Sequence, residues 1–142
     1  MHRSRIAVVL IDHPEESYDA AAAFWSGARG TARADGPSDA DPYESLGGLP
    51  GGVLLELQRT GTGTPPRIHL DLETDDVAAE VARVIALGAT VVEEKRGYAI
   101  LTDPGGLLFC VVPVQTTRVD FDALATVWDE NHDELSSAGA PS

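Results

Sequence analysis

The chain has 142 residues, 43% of them apolar, which is the size of one ordinary domain with enough apolar content for a core. Ten basic residues stand against 23 acidic ones, a net charge of −13 that repels phosphate backbones and anionic bilayers, so nucleic acid and membrane surfaces are set aside as partners. No apolar run approaches the roughly 20 residues that span a bilayer, and Cys110, the only cysteine, excludes an internal disulfide.

Residues 5–12, RIAVVLID, read as a strand with both faces mainly apolar and hence central. Its apolar run is too short for a signal peptide, and a cytoplasmic location is expected. Asp12 and His13 then read as turn and capping residues. Residues 17–27 predict a helix capped by Ser17, ended by Gly27 and packed through Phe24 and Trp25. Residues 28–50 are dominated by Gly, Pro, Asp and Ser. Short strands are placed near 30–34 and 43–46, within a surface connection or a pocket rim.

Residues 52–60, GVLLELQRT, are a strand with Leu54, Glu56 and Gln58 on one face and Val53, Leu55 and Leu57 on the other. TGTGTPP, 60–66, is a linker. RIHLDLET follows, with His69 and Asp71 on one face of a strand. A helix capped by Thr74 or Asp75 comes next, with Val77, Val81, Val84 and Ile85 as its buried stripe and Gly88 at its end. ATVVEE and YAILT form a hairpin through Gly97. Asp103-Pro104-Gly105-Gly106 is a turn, and LLFCVVPV is the last strand, with Cys110 as a small buried hydrophobe. VDFDALATVWDENHDEL predicts one amphipathic helix with Phe121, Leu124, Val127 and Trp128 in its stripe, and SSAGAPS a disordered end. The sequence has no P-loop, GxGxxG, nucleophile elbow or HExxH motif.

The two halves share an order of elements. Each opens on Arg-Ile in a strand, Arg5-Ile6 and Arg67-Ile68, and continues through a helix and glycine to further strands, which suggests an internal repeat. With Ile11-Asp12, Phe24-Trp25, His69-Leu70-Asp71-Leu72, Asp75-Asp76, Leu87-Gly88-Ala89 and Asp103-Pro104-x-Gly106 before Phe109-Cys110, the chain resembles the vicinal oxygen chelate superfamily, the glyoxalase and bleomycin-resistance fold. The resemblance covers the chain up to about Gln115. It implies an α+β fold of two βαβββ modules, 1–60 and 66–115, forming a curved mixed sheet around a pocket, often in a homodimer. A C-terminal helix and tail, 116–142, would follow.

Metal-dependent members take ligands from the first and last strands of each module. Carried over, the positions are Arg5 or Ala7, Glu56 or Gln58, His69, and Cys110 where a carboxylate is expected. The resemblance therefore makes Arg5, Glu56, Gln58, His69 and Cys110 the ligand-binding candidates, and Glu56 and His69 the candidates for catalysis or metal. Arg5, Glu56 and His69 would meet as a charge-paired polar floor. His69 itself could be a ligand, an acid/base or a histidine that only hydrogen-bonds in the cavity, and its position between apolar neighbours fits the last, a satisfied structural histidine. The first expectation is a glyoxalase-like protein that holds an apolar or amphipathic small molecule without a cofactor. A divalent-metal lyase, isomerase or dioxygenase and a protein-interaction module are the alternatives.

Overall fold

The computed structural model describes residues 1–33 and 36–129. Its elements fall into two units, one of residues 7–71 and one of residues 1–6 with the chain from Leu72 onward. Strands β1 (His2–Pro14) and β4 (Arg67–Thr74) contribute residues to both. The mixed α+β class matches the expectation.

In the 7–71 unit the strand order is β2-β3-β1-β4, so β1 is central, as its two apolar faces predict. Strand β3 (Leu54–Thr60) runs parallel to β1, with Leu10 opposite Glu56 and Asp12 opposite Gln58. Strand β2 (Tyr43–Gly48) is antiparallel to β3 and shifts register between Ser45 and Gly48. No strand forms at residues 30–33.

Helix α1 (Glu15–Arg29) is longer than predicted. Pro14, not Ser17, stands at its N-cap, and Glu15 and Glu16 place negative charge at the positive end of the helix dipole. Gly30, not Gly27, closes it with φ 75°, a conformation suited to glycine. Its buried face is Tyr18, Ala22 and Ser26, spaced by four, and the small residues allow close approach to the sheet. Tyr18 and Ala22 pack with Ile11, Leu46 and Leu57. Phe24 and Trp25 are therefore not core residues: they form an edge-to-face pair at 5.2 Å and are 64% and 37% exposed. The 60–66 linker is pinned to this helix, because Gly63 N–H donates to Glu16 at 2.8 Å.

The other unit carries the strand order β4-β7-β6-β5. Strands β5 (Thr90–Lys95) and β6 (Tyr98–Thr102) form the predicted hairpin, with Gly97 at φ 92°, and β7 (Leu108–Pro113) pairs antiparallel to β6. Asp103 Oδ1 shapes the turn into β7 by accepting from the amides of Gly105 and Leu107, both at 2.8 Å.

Helix α2 (Val77–Ala86) is capped by Asp76, one residue beyond the predicted caps, through the Ala79 amide at 3.0 Å. Val81 and Val84 pack on Ala99, Leu101 and Val111, whereas Ile85 is 45% exposed. Gly88 follows at φ 113°, and a Cβ there would stand 3.1 Å from Pro104, so both backbone and space favour glycine.

The single helix predicted after residue 118 is in fact two elements. Helix α3 (Arg118–Leu124) is capped by Thr117 and buries Phe121. Ala125 is extended, and β8 (Thr126–Trp128) pairs antiparallel with the start of β1, His2 opposite Trp128. Trp128 Nε1 donates to Ser4 Oγ at 2.7 Å, and the Arg83 guanidinium lies 3.7 Å over the ring. Residues 130–142, with the rest of the predicted helix and the tail, lie outside the described residues.

Candidate functional site

The faces of the β2-β3-β1 layer follow from alternation and register. Helix α1 covers the face that carries Leu46, Leu57 and Ile11. The opposite face carries Leu54, Glu56 and Gln58 of β3 and Val8, Leu10 and Asp12 of β1. Val8, Leu10 and Leu54 cluster there with Ala7. A carboxylate at the end of this apolar row is the unusual feature.

Asp12 is 1% exposed and belongs to β1, so it is neither a cap nor a turn residue. Its Oδ2 accepts from His69 Nδ1 of β4 at 2.7 Å and from Arg67 Nε at 3.3 Å. Its Oδ1 is buried with no partner among the described residues. His69 is 8% exposed. Its other nitrogen, Nε2, lies 3.7 Å from Asp71 Oδ1, longer than a hydrogen bond.

Asp71 is also 8% exposed. Burial pushes its carboxyl up to about 6; the His69 charge opposes this, and Glu56 and Asp12 add to it. Glu56 is half-buried, and its carboxyl is likewise pushed up, first by burial and then by the charge of Asp41. Glu56, Asp12 and His69 all act electrostatically on Asp71.

Two of the sequence candidates, Glu56 and His69, thus share one electrostatic cluster. Gln58 is on the same face, and its Nε2 donates to Tyr43 Oη at 3.4 Å. Arg5 is occupied differently from the expected floor: its Nε donates to Glu73 at 2.8 Å and a terminal nitrogen donates to Thr116 Oγ1. Cys110 sits on β7 opposite Ile100 and is partly buried. Sequence reasoning passed over Asp12 as a site residue. The available signal was its parity with Val8 and Leu10, which put a carboxylate on a buried face.

A glyoxalase-like domain model matches residues 8–112 of the chain. The chain belongs to the glyoxalase-like domain family. The fold is that of the vicinal oxygen chelate superfamily. Among solved structures, a methylmalonyl-CoA epimerase in complex with methylmalonyl-CoA and ammonium is similar at TM-score 0.55 and 19% identity, over 78% of this chain and 94% of that one. An epimerase variant from Streptomyces coelicolor in complex with 2-nitronate-propionyl-CoA gives TM-score 0.54 and 17% identity over 78% and 98%. The Mn(II)-bound glyoxalase of Novosphingobium aromaticivorans gives TM-score 0.52 and 23% identity over 83% of this chain, which spans only 44% of that one. No curated protein matches the chain.

Metal ions occur among glyoxalase-like neighbours, and the donor set of this chain fits a hard catalytic ion poorly. At the first-strand position Arg5 is a cation paired with Glu73, and Ala7 has no donor atom. The last-strand position holds the Cys110 thiol in place of a carboxylate. His69 and Asp71 do offer two ligand atoms within 4.8 Å of each other. What the cluster supplies unaided is an oriented imidazole with two carboxyls of raised pKa beside it, a constellation able to hold or exchange a proton.

Proposed function

We propose that this glyoxalase-like protein binds a small apolar or amphipathic organic molecule at the polar face of β1, β3 and β4, without a catalytic metal. The arrangement of Asp12, His69 and Asp71 carries this reading. A buried carboxylate fixes the imidazole, and a second buried carboxyl stands beside its free nitrogen without a hydrogen bond. Asp12 Oδ1, buried and without a partner among the described residues, costs free energy unless something supplies a donor to it, and a bound ligand would do so. Glu56, Gln58, Arg5 and Cys110 complete the proposed ligand-binding set, the last two on the strength of the family positions alone. Sequestration of a toxic small molecule, as in bleomycin-resistance relatives, belongs to this class. We further propose that the protein works in the cytoplasm as a homodimer.

A library of small organic molecules screened by thermal shift in the presence of EDTA tests the reading. Saturating ligand at about a hundredfold over Kd should stabilise the protein by about 2.7 kcal/mol. The shift should disappear in His69→Gln and shrink in Glu56→Gln. A library with no hits, or hits indifferent to both substitutions, would count against it.

The second reading is a divalent-metal lyase, isomerase or dioxygenase using Glu56 and His69. One observation favours it: a carboxylate on the second nitrogen of a histidine is the usual support of a metal-binding imidazole.

A further inference from the structure

The groups around His69 restrict the chemistry of what can bind there. Asp12 Oδ2 holds His69 Nδ1 at 2.7 Å, which fixes the ring with its Nε2 on the side of Asp71. Asp71 Oδ1 stands 3.7 Å from that nitrogen. A ligand atom about 2.8–3.0 Å from each of these two would be within hydrogen-bond distance of both. The carboxylates of Asp71 and Glu56 take no hydrogen bond among the described residues, although Asp71 is 8% exposed and Glu56 half-buried. The buried, unpartnered Oδ1 of Asp12 is a further unmatched acceptor in the same group. Among the described residues the arginine in contact is Arg67, whose Nε is engaged by Asp12 and whose side chain is 43% exposed. Asp41 adds a further negative charge near Glu56.

We infer that the site selects ligands ending in a hydrogen-bond donor, an ammonium or hydroxyl group on an organic body, and rejects carboxylates and phosphates. An ammonium group brings three donors to a cluster whose Asp71 and Glu56 carboxylates have none among the described residues. A carboxylate in the same place would face only acceptors and like charges, a repulsive device that sets specificity as firmly as the attractive contacts do. The inference rests on the proposed ligand-binding role of this cluster and adds the polarity of the ligand to it.

The test uses three probes with one ring and different polar ends: benzylammonium, benzyl alcohol and benzoate. Their affinities for the full chain are measured by calorimetry at about pH 8, where side-chain carboxyls are ionised. Each variant is compared with its own unliganded state, and circular dichroism checks that it is folded. Benzylammonium should bind at least about tenfold more tightly than benzoate, with benzyl alcohol between them. Asp71→Asn should remove most of that preference, and His69→Gln should weaken both donors. Benzoate binding as well as benzylammonium, or a preference unchanged by Asp71→Asn, overturns the inference. So does a failure of all three to bind. If benzoate binds and His69→Gln abolishes that binding, only the donor rule falls and the small-molecule reading stands. If the wider library also yields nothing, both fall.

Discussion

Replacing Glu73 with leucine is expected to destabilise the protein by about 3–5 kcal/mol, the usual result of breaking one half of a buried ion pair. Glu73 is fully buried, and its carboxylate accepts from Arg5 Nε, from the amides of Gln115 and Thr116 and from the Thr116 hydroxyl. Leucine leaves all four donors without their acceptor, and Arg5, with its side chain 8% exposed, keeps a buried charge. The pair also joins β1 and β4 to the segment that leads from β7 into α3. Denaturant unfolding of Glu73→Leu measures the loss. The Arg5→Met, Glu73→Leu double variant should lose less than the sum of the two single ones, because both changes remove the same Arg5–Glu73 interaction.

The same residue sets a pH dependence. Burial pushes the Glu73 carboxyl up, but the Arg5 bond and the Thr116 and Gln115 donors outweigh it, and the net direction is below the ordinary glutamate range. A group depressed in the folded state contributes stability above its unfolded pKa and loses it as pH falls through the folded pKa. The difference between the parent chain and Glu73→Leu should therefore be full near neutrality and close as pH falls below the ordinary carboxylate range. A difference that stays constant down to acid would show that packing, not the charge, is responsible.

The second large effect is expected at Asp12. Alanine there removes the acceptor of His69 Nδ1 and of Arg67 Nε. Loss of a buried charged acceptor costs about 2–3 kcal/mol, eased by removal of the unpartnered Oδ1. The more telling readout is the imidazole itself. In the parent chain, nitrogen NMR should show His69 with its hydrogen on Nδ1. In Asp12→Ala that tautomer should no longer dominate. Asp12→Asn should lose less stability, since the amide oxygen can still accept from Nδ1. An unchanged His69 spectrum in Asp12→Ala would mean that Asp12 does not position the ring.

The secondary structure was legible in the sequence where local chemistry decides it. The apolar run of RIAVVLID, alternation in RIHLDLET, Gly97 in a hairpin and Asp103 in a turn each act within a few residues, and they appear where they were expected. The C-terminal segment shows the limit. Phe121, Leu124, Val127 and Trp128 keep helical spacing, but β1 offers an unpaired edge at His2–Ser4, and residues 126–128 pair with it instead. That competition is between residues more than 120 apart in the chain, and periodicity does not register it.

Helix α1 makes a related point. Phe24 and Trp25 are its most hydrophobic side chains, yet the sheet is met by Tyr18, Ala22 and Ser26, because close packing rewards small residues on the facing stripe. The site was half legible. The family positions named Glu56 and His69. Asp12 reads as a turn residue until β4 brings His69 to it across 57 residues. Asp71 lies two residues along the same strand face from His69; at 3.7 Å it makes no hydrogen bond, but it is close enough for charge to matter.

The most direct test of the central claim is the metal content of protein purified without a metal-chelating column, compared with Glu56→Ala and His69→Ala. Substoichiometric metal is expected in all three, with no thermal stabilisation of the parent chain by added divalent ions. Near-stoichiometric metal in the parent chain, lost in both variants, would contradict it and move the protein to the metal-enzyme reading.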